Sequence, residues 1–394
     1  MKVLLLFSAT GLVVVQATLA QSSAPLIAPE SEIRALLLER VDERKQSVGV
    51  VVGVIEPAGK RVVAYGRPAK NDDRPLDGVS VFQIGSVTKV FTSLLLSDMV
   101  QHGEVKLDDP VSMYLPKGVT MPVHGGSRIT LRHLATHTSG LPRDPSNSSS
   151  PDPDNPYLGY SIEQLYQFLS TYKLTRKVGS QYEYSNLGGG LLGHILAKRA
   201  GVDYATLVKT RICDPLDMNS TRAHVTADMN KRLVTGHSEK LDPVPALDLA
   251  VIPGASVLRS TVNDLLIFLA AVLGYEKTPL APAMAAMLDH PQSTGTPGSE
   301  IALGWHIATI NGTRFVWHNG GLGGCGSFIG YDPKSRVGVV VLSNSETPAV
   351  ADQIGFHLLD QQAQRRGADE KTETGKESAQ QDGAANGRQP FRLE

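Results

Sequence analysis

The chain has 394 residues, with 38 Lys and Arg against 39 Asp and Glu and a formal net charge of −1. A balance this close to neutral argues against a nucleic-acid partner, and two cysteines are too few for a disulfide framework or a paired-cysteine metal site. An apolar share of 41% supports one large folded unit or two interleaved domains.

Lys2, the apolar run from Val3 to Val15 and the small residues ending at Ala20 read as a secretory signal over residues 1–20, with a retained anchor as the alternative. No later stretch is long and apolar enough to span a bilayer, so the mature chain is expected to be secreted or periplasmic. Ser31 to Gln46 predicts a helix with Ile33, Leu36, Leu37 and Val41 on one face. Val48 to Ile55 and Lys60 to Tyr65 are rich in β-branched residues around a Pro57-Ala58-Gly59 turn, which predicts a hairpin. Phe82 to Gly85 leads into a helix beginning at Ser86. Its apolar residues, Val90, Phe91, Leu94, Leu95, Leu96, Met99 and Val100, cover most of the circumference and predict burial. A short helix over Ile129 to Thr136 follows. Residues 142–160, rich in Pro, Ser, Asp and Asn, then predict a long surface loop. Ser161 to Tyr172, Ser185 to Ala200, Tyr204 to Ile212 and Thr261 to Leu273 are further predicted helices.

After Pro297 the pattern becomes strand-like: Leu303 to Ile310, Arg314 to His318, Ser327 to Tyr331 and Val337 to Leu342, with Asn311-Gly312 a strong hairpin signal. A helix from about Ala349 to Gln364 and a polar, disordered tail over residues 363–394 complete the chain. Strands at both ends and helices between predict an α/β (α+β) architecture. An antiparallel sheet is flanked by helices, the sheet lobe coming from about residues 30–85 and 297–362, and an all-helical lobe of about 86–296 is inserted. Cys213 and Cys325 read as two buried thiols rather than a bridge.

Three polar clusters carry chemistry. Ser86 and Lys89 lie three apart, one turn of a helix. A serine at a helix start sits among unpaired N–H groups, and a desolvated lysine on the same face can take its proton. A second Ser-x-x-Lys, Ser170 and Lys173, lies at a predicted helix end and lacks that context. A buried helix opening on a serine and a lysine must pair both groups, which itself indicates a polar site. Tyr184-Ser185-Asn186 offers a phenol that neighbouring lysines can push toward the phenolate for general-base work, and an amide able to hold Lys89 or a substrate carbonyl. His318-Asn319-Gly320-Gly321 ends a predicted strand. Its glycines permit close backbone approach, and a backbone N–H there, with that of Ser86, makes an oxyanion hole. No metal-ligand spacing and no phosphate-cradling loop is present, so no cofactor or metal is expected.

These motifs, in this order, resemble the serine β-lactamase and penicillin-binding-protein superfamily, most of all class C β-lactamases and AmpH-type D-alanyl-D-alanine peptidases. Leu134-Ala135-Thr136-His137-Thr138-Ser139-Gly140-Leu141-Pro142, Asp214-Pro215-Leu216-Asp217-Met218 and Leu303-Gly304-Trp305 add to the likeness, which runs from about residue 30 to 362. The resemblance implies that Ser86 is the acylated nucleophile and that Lys89 and Tyr184 share the general-base work. It implies that Asn186, His318, Asn319, Gly320 and Gly321 contact substrate, with the Ser86 and Gly321 N–H groups on the oxyanion. The family's third motif is often Lys-Thr-Gly; here a histidine takes the place of the fixed cation. That weakens the case for an efficient β-lactamase. The expected substrate is a small molecule or a peptidoglycan peptide, cleaved at D-Ala-D-Ala-type or β-lactam amide bonds. Small carboxylic esters, or β-lactam binding without turnover, are the alternatives.

Overall fold

The computed structural model describes residues 25–361 apart from 149, 151–156, 248–250 and 347–349. The predicted signal over residues 1–20 and the tail over 363–394 lie outside the described residues.

An eight-stranded antiparallel sheet forms the backbone of the fold. Strands β1 (Gly49–Glu56) and β2 (Gly59–Gly66) make the predicted hairpin. Beside β1 lies the last strand, Val337–Ser343, with Val50 opposite Ser343. The sheet continues outward through Cys325–Asp332, Thr313–Leu322 and His306–Ile310. Asn311 and Gly312 both adopt positive φ, 50° and 77°, as a tight hairpin turn requires. Two short strands, Ser299–Ile301 and Gln292–Ser293, extend the edge. They are too short to show an alternating pattern in the sequence.

β1 is buried at every position. Val50, Val52 and Val54 pack with Ile33 and Leu37 of helix α1 (Glu30–Leu38) and with Ile354 and Leu358 of the helical stretch 350–361. Val51 and Ile55 face the opposite way, into the large cluster that holds Leu265 and Leu266 of the helix Val262–Val272. A strand covered on both faces has no polar side to alternate with, which is why its sequence reads as a continuous apolar run.

Helix α2 (Thr88–Gln101) lies at the centre of the helical layer, with every residue from Thr88 to Met99 buried. Ser86 precedes it, in a 3₁₀ turn over Gly85–Val87, rather than opening the α-helix as the sequence suggested. Gly85 takes φ +48° to turn the chain out of the short strand Phe82–Gln83 and into that turn. The described ends of the 142–160 loop are not all surface. Tyr157 and Tyr160 are buried, their hydroxyls donating to Asp144 Oδ1 at 2.9 Å and Asn147 Oδ1 at 2.7 Å. Among the described residues no helix is long and apolar enough to cross a membrane.

Candidate active site

Lys89 sits on the first turn of a helix with no solvent-facing side, so its amine must find partners inside. Nζ lies 3.0 Å from Ser86 Oγ, 2.9 Å from Asn186 Oδ1 and 3.0 Å from the Ala255 carbonyl oxygen. Burial pushes the amine down to about 7, with the Arg143 charge adding to the fall and the Asp144 carboxylate opposing it. A neutral amine has two protons and one lone pair. The two carbonyl oxygens can only accept, so they take the two protons, and the lone pair is left to face the Ser86 hydroxyl. The lysine stem crosses the glycine run of α3 (Asn186–Ala200), where a Cβ on Gly189 would come within 3.0 Å of Lys89 Cε.

Ser185 caps α3 by accepting from the Gly188 N–H at 2.8 Å, which fixes Tyr184 and Asn186 on either side of the helix start. The Tyr184 ring lies 4.8 Å from Lys89 Nζ and 5.2 Å from the Arg143 guanidinium carbon, and the Ser86 hydroxyl is close enough to favour its ionised form. The sequence suggested that neighbouring cations would draw this phenol toward the phenolate. The structure corrects that. Burial pushes the phenol above its ordinary value and outweighs the influence of both the Ser86 hydroxyl and the Arg143 charge. Tyr184 is therefore neutral at pH 7. His137 stacks on it at 4.4 Å and accepts the Ser185 N–H on Nδ1 at 3.1 Å.

The third segment reaches the site on the strand Thr313–Leu322. A Cβ on Gly320 would lie 2.3 Å from the Ile84 carbonyl and 2.7 Å from the Ser86 nitrogen. Only a glycine lets the strand come this close to the Ser86 turn. Ser327 Oγ donates to the Ile84 carbonyl at 2.8 Å and ties the next strand to the same turn. The Ser86 and Gly321 backbones thus adjoin. Asn319 Nδ2 donates to Asp352 Oδ2 at 2.6 Å. His318 is fully buried, its Nδ1–H donating to the Asn319 carbonyl at 2.6 Å, which leaves Nε2 the unprotonated nitrogen, without a partner among the described residues. Burial, with the neighbouring His306 and Lys89, pushes it well below its usual value. His306, 5.0 Å away, is pushed down to about 4, first by burial and then by the Lys89 charge.

These segments enclose a cleft of about 510 Å3. Ser86, Tyr184, Asn319, Gly320 and Gly321 line it, while Lys89, Asn186 and His318 stand behind the wall. Asn186 is used at both ends of its amide, Oδ1 on Lys89 and Nδ2 on Asp144 Oδ1 at 3.2 Å. The sequence reading missed Arg143, His306, Glu346 and Asp352, all of which line the cleft. Arg143 fell within a segment read as surface loop, and a lone histidine or carboxylate carries no spacing signal. The one available hint was Arg143 following directly on the Leu141-Pro142 end of the landmark run.

The family model Beta-lactamase matches residues 34–364. The D-alanyl-D-alanine-carboxypeptidase/endopeptidase AmpH of Escherichia coli K12 is 31% identical over 359 residues, covering 87% of this chain and 91% of that protein. A class C beta-lactamase structure from Rhodobacter sphaeroides superposes with a TM-score of 0.72 at 26% identity, over 83% of this chain and 98% of that one. A beta-lactamase/D-alanine carboxypeptidase from Yersinia pestis, complexed with citrate, gives 0.73 at 26% identity, over 85% and 98%. The matched span contains the Ser86 turn, the Tyr184 segment and the His318 strand together, and the chain belongs to the beta-lactamase family and is a serine hydrolase.

Proposed function

We propose that this chain is a secreted or periplasmic hydrolase that cleaves D-Ala-D-Ala-type peptide or β-lactam amide bonds through an acyl-enzyme on Ser86. The observation that carries the reading is the Lys89 amine, pushed down to about 7 and 3.0 Å from Ser86 Oγ. A general base works best with its proton affinity near the operating pH. Lys89 takes the hydroxyl proton as Oγ adds to the substrate carbonyl. The Ser86 and Gly321 N–H groups hold the oxyanion. Tyr184, neutral and lining the cleft beside Ser86, donates its phenol proton to the departing nitrogen and recovers one from the Lys89 ammonium. The amine leaves, the acyl group stays on Oγ, and Lys89 is neutral again. Water then repeats the sequence, Lys89 taking its proton as its oxygen adds to the ester. Asn186 and His318 act as positioning residues behind these groups. The substrate class is supported by the activities for which the relatives are named, peptidase and β-lactamase alike.

A second reading, hydrolysis of small carboxylic esters, is favoured by one feature. His318 is buried and neutral where the family's third motif often has a lysine, so that position supplies no charge to hold a substrate carboxylate. Nitrocefin, p-nitrophenyl acetate and a D-Ala-D-Ala peptide, each offered to the wild type and to Ser86→Ala, separate the two. Turnover of the peptide or nitrocefin, abolished by Ser86→Ala, is expected. Turnover of the ester alone would replace the first reading by the second.

A further inference from the structure

With the third segment uncharged, any anion on the substrate must be met elsewhere, and the charges on the cleft wall are divided between its two sides. On one side stands Arg143, its guanidinium carbon 5.2 Å from the Tyr184 ring. Its side chain is 67% exposed, and its nearest charge is Asp144, an ion pair of 3.8 Å. Among the described residues the guanidinium makes no hydrogen bond, so five planar donors on a stacked support face the opening. On the other side stand two carboxyl groups. A Cβ on Gly321 would lie 3.7 Å from Glu346 Oε1, and Asp352 Oδ2 takes the Asn319 amide. An anionic substituent is repelled there and attracted at Arg143. Lys89 cannot serve instead, because its amine stands behind the wall with its partners already assigned.

We propose that Arg143 is the anion-recognising residue of this cleft and that the preferred substrate carries a carboxylate bound by it, a specificity that rests on the acyl-enzyme reading above. The guanidinium grips the carboxylate through paired N–H donors. The carboxyl groups beside Gly321 set the orientation by refusing the same group at the other end.

The test uses three esters: p-nitrophenyl hexanoate, mono-p-nitrophenyl adipate with the anion on the acyl part, and 3-carboxy-4-nitrophenyl hexanoate with the anion on the leaving group. Ratios of kcat/KM, each anionic ester over the neutral one, cancel any effect of Arg143 on Lys89. In Arg143→Gln one of the two ratios is expected to fall about tenfold, through KM, with partial recovery in Arg143→Lys. In the wild type the same ratio should fall with added salt, and in Arg143→Gln it should not. The ratio that moves identifies which part of the substrate carries the carboxylate. Both ratios unchanged in Arg143→Gln, with Ser86→Ala inactive, would overturn the role of Arg143 alone. Turnover persisting in Ser86→Ala would overturn the mechanism beneath it as well.

Discussion

Replacing Lys89 by Met should make the protein more stable near neutrality and less stable in alkali. In the folded chain the amine is pushed from 10.5 down to about 7 by burial. Between those values the unfolded chain holds a proton that the folded chain does not, so wild-type stability rises with pH across that window and is lowest below it. At pH 6 the burden of burying this group is about 5 kcal/mol, and at pH 9.5 about 1.4 kcal/mol. Methionine preserves the stem packed on Gly189 but leaves the Asn186 and Ala255 oxygens without a donor, a loss of about 1–2 kcal/mol each. The variant should therefore be more stable than wild type by about 1–3 kcal/mol at pH 6, and the balance should move by about 3 kcal/mol against it by pH 9.5. Urea unfolding of both proteins at the two pH values measures the difference. Constant terms cancel in the comparison, so a stability difference that does not change with pH refutes the assignment of a low proton affinity to Lys89.

The pH–rate profile of kcat/KM should rise through about pH 7 as Lys89 loses its proton and then stay level, because burial holds the Tyr184 phenol above its ordinary value. A descending limb near pH 9 would contradict the neutral-phenol assignment. Arg143→Gln should move the rising limb to higher pH, since the guanidinium helps to lower Lys89; a limb that moves down or stays in place contradicts that cause. Gly320→Ala should reduce turnover about 100-fold or more, because the strand must withdraw from the Ser86 turn to seat a methyl group 2.7 Å from its nitrogen; near-normal turnover would refute the close approach. Cys213 and Cys325 are free and buried, each thiol pushed up to about 12 by burial. A thiol reagent should label neither in the native protein and both after denaturation, and rapid native labelling would refute their burial.

The parts legible in the sequence were those that one continuous stretch encodes. The all-round apolar run of α2, with a serine and a lysine at its mouth, announced a buried polar site before any partner was visible. The β1–β2 hairpin and the Asn311-Gly312 turn were equally local. What escaped was made by distant segments. Whether Tyr184 becomes a base depends on how much water its ring loses, and His137, Arg143 and Lys89 take that water away from separate parts of the chain. His318 read as a substrate contact because its place on the strand is local; its full burial against His306 is not. Asp352 and Glu346, which follow the strand Val337–Ser343, reach the cleft only because they lie against Asn319 and Gly321 of another strand.

The pairing of Val50 with Ser343 carries a consequence for how the molecule is made. A strand buried along its whole length is synthesised among the first and can be completed only by one synthesised among the last, so an emerging chain must wait with a valine-rich strand unsatisfied. A ribosome-bound fragment ending before residue 337 lacks that partner altogether. Premature termination anywhere in the helical half should thus yield an aggregation-prone product rather than a smaller working hydrolase.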